Sequence, residues 1–257
     1  MPVTGPSRWR FPDPATAGED GLVGVGADLA PATLLDAYRR GIFPWPHPGA
    51  PLPWFSPDPR GVIPPDGVAV ARSLRARLRR CGWETTVDRA FAAVIDACAD
   101  RPGAGDAPGE GTWITPPMRA AYRRLHELGH AHSLEVWEGD RLVGGLYGIG
   151  VGGVFTGESM FHHTTDASKV ALVDLAARLV EAGGRLIDVQ VVTPHLASLG
   201  ARDLPRSEFL ALLRRVRDDP VHLPTGRRPV ARLAGSIGAV PSRAGRSHAG
   251  HRDWQDP

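Results

Sequence analysis

Between Leu186 and Val192 the chain reads Leu-Ile-Asp-Val-Gln-Val-Val, a short β-branched run that is apolar except at Asp188 and Gln190. Those two positions are two apart, so on a strand they share a face. A carboxylate and an amide in an otherwise apolar strand are costly unless hydrogen-bonded or put to use. The run closes a larger unit. Residues 154–161 alternate β-formers with polar groups, Thr165 and Asp166 offer N-caps, and a helix carrying Val170, Leu172, Val173, Leu175, Leu179 and Val180 stops at Gly183-Gly184. If the two strands of this strand–helix–strand unit are neighbours, Glu158 joins Asp188 and Gln190 at one cleft. The residues alone leave two readings open for all three: a satisfied structural network, or a reaction site.

Upstream, residues 31–40 form a helix stopped by Gly41, and a proline-rich loop at 46–60 carries Trp54 just after Trp45. Six prolines in that loop exclude regular structure. The two tryptophans either cap a small core or meet a ligand. Residues 68–80 suit a helix with Val70, Leu74 and Leu78 on one face and Arg72, Arg75, Arg77, Arg79 and Arg80 around the rest. A strand at 83–87, a helix at 89–99, a flexible loop at 101–111 and a helix from Thr115 to Leu128 follow. Strands at 133–138 and 141–147, turned by Gly139-Asp140, make an antiparallel meander with 153–161. A last helix spans 205–216, and from Leu223 onward weak apolar periodicity predicts a disordered tail.

A chain of 257 residues with 42% hydrophobic and 23% charged residues is an ordinary globule. It has no run of transmembrane length and no apolar signal core, and two cysteines, Cys81 and Cys98, give no disulfide framework. A cytoplasmic protein is expected, without membrane partners. Net charge is +2, with Lys169 the single lysine, which permits nucleic-acid binding without demanding it. On composition alone the arginines of 72–80 are a solvated face at least as readily as a phosphate-binding one.

Two motifs fail on their surroundings. His126-Glu127-Leu128-Gly129-His130 matches H-E-x-x-H, but Gly129 ends the helix and sends His130 away from His126, so no metal is expected. The unit after the meander is similar to the core of acetyltransferase-like folds. Where coenzyme A would need a glycine-rich turn, however, the chain has His162-His163-Thr164-Thr165-Asp166-Ala167, with an acid facing the phosphate position.

In order along the chain, GLVGVGADLAPATLLDAYRRGIFPW, WFSPDPRGVI, TWITPPM, AYRRLHELGHAHSLEVWEGDRLVGGLYG, GGVFTGESMFHHTTDASKVAL, RLIDVQ and HLASLGAR together resemble the leucyl/phenylalanyl-tRNA–protein transferases over residues 8–217. The resemblance implies an α+β chain. A small N-terminal domain (1–65) would precede an acetyltransferase-like, GNAT-type mixed-sheet domain (66–222), with the tail at 223–257. It implies an enzyme with no cofactor, expected as a monomer. Such an enzyme moves leucine, phenylalanine or methionine from aminoacyl-tRNA to proteins with N-terminal Arg or Lys, marking them for N-end-rule degradation. A non-catalytic aminoacyl-tRNA-binding module on the same scaffold is the alternative.

By the same resemblance, Asp188 and Gln190 take the proton from the attacking amine, or orient it, and stabilise the tetrahedral intermediate. An amide is a poor base, so Asp188 acting through Gln190, or positioning alone, is the easier role. Glu158 holds the cationic acceptor N-terminus. The aminoacyl pocket falls on Trp45, Trp113, Leu146 and Leu175, while Val189 is expected to face away from it. In this context Arg72, Arg75, Arg77, Arg79 and Arg80 become candidates for the tRNA backbone.

Overall fold

The structure, a computed structural model, describes residues 5–47, 49–100 and 113–235. The glycine-rich segment at 101–111 and the tail beyond 235 lie outside the described residues. A small N-terminal part holds β1 (Leu22–Val25), α1 (Pro31–Arg39), β2 (Phe43–Pro44) and β3 (Pro53–Phe55), with the three strands ordered β1-β3-β2. The proline-rich loop is therefore not wholly irregular. Trp54 in β3 packs edge-on against Phe11 and donates to the Gly26 carbonyl at 2.7 Å, so it belongs to the core.

The remainder is built on an eight-stranded mixed sheet. Its strands are β4 (Arg60–Ile63), β5 (Glu84–Val87), β6 (Ala131–Glu138), β7 (Arg141–Val151), β8 (Val154–His162), β9 (Leu186–Gln190), β10 (Arg202–Leu204) and β11 (Arg228–Pro229), in the order β10-β4-β9-β8-β7-β6-β5-β11. β4, counted with the small N-terminal part in the sequence, is thus a strand of the large sheet. β6, β7 and β8 form the expected meander, while β8 and β9 are parallel and joined by α5 (Ala167–Glu181). That helix is buried nearly all round, and the charges it carries inward, Asp174 and Arg178, are paired with each other.

Apolar clusters cover both faces of the sheet. On one side pack α1, α3 (Phe91–Ala99), α4 (Pro116–Glu127) and α7 (Arg206–Val216), while α6 (Pro194–Ser198) follows β9. On the other lie α5 and α2 (Arg72–Leu78). The helix expected over 68–80 starts only at Arg72, because Pro64-Pro65 precede it and Ala69 N–H bonds the Leu199 carbonyl. Val70, Leu74 and Leu78 are buried as the spacing required.

The tail does not begin at Leu223. β11 pairs with β5, and Val230, Leu233 and Ala234 of a short 3-10 turn at 230–234 are buried beside α2 and α5. Five residues are too few to show a helical period, so these apolar positions form no visible pattern in the sequence. Among the described residues no helix is long and apolar enough to cross a membrane.

Candidate active site

Pairing between β8 and β9 covers only 154–156 and 186–188. Beyond Thr156 and Asp188 the strands stop pairing with each other, and a cavity of about 300 Å³ lies there. Trp45, Trp113, Leu146 and Leu175 all line it, although they come from the segment after β2, the stretch before α4, β7 and α5. Phe43 and Met160 add to the same apolar wall. Trp45 is held by Phe43 and Phe55, with ring centroids 6.3 and 6.4 Å away. Of the two loop tryptophans, then, Trp45 faces the cavity and Trp54 does not.

Glu158 and Gln190 also line the cavity. Glu158 is the extra residue of a β-bulge: Tyr147 pairs with Ser159 and Gly148 with Gly157, leaving Glu158 unpaired between them. Its Oε1 accepts from Tyr38 at 2.9 Å and from Gln190 Nε2 at 3.2 Å, and Oε2 accepts from Tyr122 at 3.0 Å. The two tyrosine oxygens are themselves very close, and because each hydroxyl carries one proton, the pair fills only two of these three contacts at once unless Glu158 is protonated. Burial pushes the Glu158 carboxyl up to about 7, against the lowering effect of the tyrosine hydrogen bonds. Burial, and then the Glu158 charge, push both tyrosine hydroxyls well above their ordinary range, so they stay protonated.

Asp188 is close by but does not line the cavity. It is fully buried, and Arg60 grips both its oxygens, Nε to Oδ1 and Nη2 to Oδ2, each at 2.7 Å. Thr156 donates to Oδ2 at 3.1 Å and the Gln190 backbone N–H to Oδ1 at 3.0 Å. The strand expected to run to Val192 turns at Gln190, where φ is +64°. That turn, and not the alternation of a strand, swings the Gln190 amide toward Glu158. β4 can lie close behind because Gly61 has no side chain: a Cβ there would sit 2.8 Å from the Val191 carbonyl carbon.

One expectation is reversed. Val189 lines the cavity together with Ile187, because residues 187 and 189 occupy the strand face opposite Asp188. Asp188, in turn, points toward Arg60 and the N-terminal side.

The five arginines separate into two groups. Arg72, Arg79 and Arg80 are exposed. Arg75 donates to the carbonyls of Val70 and Ala234, both at 3.3 Å, while Arg77 pairs with Asp166 at 2.9 Å and lies over the Trp83 ring. Arg75 and Arg77 therefore have work inside the molecule. The H-E-x-x-H match also dissolves: α4 ends at Glu127, Gly129 has φ +79°, and His126 Nδ1 lies 2.9 Å from the Ala131 carbonyl. Among the described residues no cluster of His, Cys, Asp or Glu is arranged to hold a metal ion.

Tyr38, Tyr122 and Arg60 join the site with no sequence signal to announce them. They lie 120, 36 and 128 residues from the carboxylates they meet, and no local spacing links them.

A family model described as leucyl/phenylalanyl-tRNA protein transferase matches residues 62–214, and one for the N-terminal domain of the same proteins matches residues 27–58. Proteins named leucyl/phenylalanyl-tRNA–protein transferase are similar over most of the chain. The one from Chromohalobacter salexigens is 59% identical over 202 residues, covering 79% of this chain and 77% of its own. Those from Nitratidesulfovibrio vulgaris and Thiobacillus denitrificans are each 52% identical, over 85% and 87% of this chain and 92% and 96% of theirs.

Proposed function

The chain belongs to the leucyl/phenylalanyl-tRNA protein transferase family, an aminoacyltransferase family acting from aminoacyl-tRNA onto protein, and from that premise we propose how its residues divide the work. The donor is leucyl-, phenylalanyl- or methionyl-tRNA. The acceptor is a protein beginning with Arg or Lys, whose α-amino group attacks the ester carbonyl. A peptide bond forms, the ester C–O bond breaks, and the tRNA ribose hydroxyl leaves with a proton. The product carries a new N-terminal residue that marks it for N-end-rule degradation. The large domain is of the acetyltransferase-like type, and the enzyme works in the cytoplasm as a monomer.

The observation that carries this reading is a single cavity whose apolar wall, Trp45, Trp113, Leu146 and Leu175, ends at the Glu158–Gln190 pair. An aliphatic or aromatic aminoacyl side chain fits the wall, and its ester carbonyl then lies by the polar end. Glu158, poised near neutrality, holds the cationic acceptor and is placed to share its proton. Gln190 orients the amine and the tetrahedral intermediate. Asp188 already accepts four hydrogen bonds, so its part is to fix Gln190, not to take a proton. Holding ester and amine together supplies much of the rate. Arg72, Arg79 and Arg80 are the candidates for tRNA phosphates, in sequence-blind contacts.

The test is transfer of labelled leucine from Leu-tRNA to a protein with N-terminal Arg, in EDTA and without coenzyme A. Wild type, Asp188→Ala and Glu158→Ala are compared, with tRNA binding measured separately. Transfer lost in the variants while tRNA still binds supports the assignment. Tight tRNA binding without transfer by the wild type would point instead to a binding module.

A further inference from the structure

Arg60 is fully buried, yet it carries a charge and five donors into the middle of the protein. Its guanidinium lies between two rings, 4.8 Å from the Phe43 centroid and 4.5 Å from that of Phe209. Nη1 donates to the Gly41 carbonyl at 3.1 Å. Its other edge forms the two-point grip on Asp188. One side chain thus touches the segment leading into β2, α7 and β9. Phe43 is itself part of the apolar cavity wall, while Asp188 holds the Gln190 backbone N–H and so the turn that aims the Gln190 amide. Removing an ion from water into such a place is expensive, and an apolar pair of similar volume would cost less. The arrangement makes sense if geometry, more than stability, is what it provides.

We propose that Arg60 is a positioning residue for aminoacyl transfer: through Asp188 and Phe43 it fixes the Gln190 turn in register with the wall that holds the aminoacyl side chain. It touches neither reactant. Lysine cannot take its place, because an ammonium lacks the planar fork that meets both oxygens and stacks between rings. The proposal rests on the reading of Gln190 and the apolar wall as the transfer site.

Arg60 and the Gln190 backbone N–H donate to the same oxygen of Asp188, so coupling between the two side chains reports on positioning, while tRNA binding reports on loss of fold. Single-turnover transfer is measured for wild type, Arg60→Lys, Gln190→Ala and the double variant, with binding of deacylated tRNA as the check on folding. In Arg60→Lys the transfer rate falls by up to about 100-fold, the cost of a small misplacement at a reacting centre. Deacylated tRNA still binds. Adding Gln190→Ala to Arg60→Lys then costs far less than it does in the wild type. Penalties that multiply to within about twofold would overturn the proposal, since residues acting independently behave so. A wild-type rate in Arg60→Lys would overturn it too. Should Arg60→Lys fail to fold, Asp188→Asn takes its place in the same cycle, and multiplied penalties again overturn the role. Absence of transfer by the wild type would overturn the functional reading and this role with it.

Discussion

Glu158 and Gln190 meet at 3.2 Å, Nε2 to Oε1, across the point where two parallel strands cease to pair. Each owes its place to an irregularity: Glu158 to a bulge in β8, and Gln190 to a left-handed turn ending β9. The proposed site thus lies where the sheet stops being regular, and each side of that break can be probed separately.

The charge on Glu158 ties stability to pH. Its folded value of about 7 is above the ordinary 4.5, so between those limits the folded protein holds a proton the unfolded chain has lost. Stability from this group is complete below about pH 4.5 and is lost as pH rises toward 7, by up to about 3 kcal/mol. Glu158→Gln has no such loss. Urea unfolding from pH 4.5 to 8 should therefore show the variant gaining on the wild type as pH rises, while transfer is lost at every pH. A stability difference that stays flat across that range would contradict the burial of an ionisable Glu158.

A second prediction follows from the orientation of Val189. A residue pointing away from the cavity could be enlarged without consequence, whereas one lining it cannot. Val189→Phe should fill part of the 300 Å³ cavity and raise KM for Phe-tRNA more than for Leu-tRNA. The expected discrimination is about 1–3 kcal/mol for each methylene excluded. KM values unchanged from the wild type for both donors would return Val189 to the outside.

How much of this is legible in the sequence differs from residue to residue. The meander, α5 and its flanking strands show as periods of 2 and 3.6, because each element buries one consistent face. Trp45, Trp113, Leu146 and Leu175 come by resemblance, and the fold brings all four to one cavity. The side of β9 on which Val189 falls cannot be had that way, because strand alternation does not say which face a cavity opens to. Arg60 sits at the end of a proline-rich loop, where nothing local hints that it ends up among the most buried residues. Partners such as Tyr38 and Tyr122 are set by packing between helices and leave no local trace.

The arginines of α2 give a third test, because the structure sorts them. Replacing Arg72, Arg79 or Arg80 by Gln should weaken tRNA binding alike for all tRNAs, and lower the salt dependence of binding by about one unit for each phosphate left without its cation. Their stability should move by less than about 0.5 kcal/mol, as expected of exposed side chains. Arg77→Gln should instead lower thermal stability, because it breaks the link from α2 to Asp166 at the start of α5. Binding isotherms at several salt concentrations, beside melting curves, separate the two sets. Unchanged salt slopes for all three exposed variants would place the tRNA backbone elsewhere.

The segment after α7 supplies the fourth prediction. Arg178 and Asp174 are fully buried neighbours on α5, paired at 2.7 Å. Arg178 spends its remaining donors on the carbonyls of Pro224, Gly226 and Thr85, and Arg232 closes on the other oxygen of Asp174. Cutting the chain after His222 would remove the Pro224 and Gly226 carbonyls from a buried cation and Arg232 from its partner carboxylate, which is far more damaging than breaking a surface pair. A gentler probe is Leu233→Ala, at a side chain with no exposed surface beside α2 and α5. It should cost about 2–5 kcal/mol in urea unfolding, as cavity-forming substitutions in cores do. The cavity proposed for transfer has no residue of this segment among its lining, so the rate at a temperature well below the transition should stay near that of the wild type. A cost under about 0.5 kcal/mol, the range of surface substitutions, would show that residues 223–235 rest on the core without being part of it.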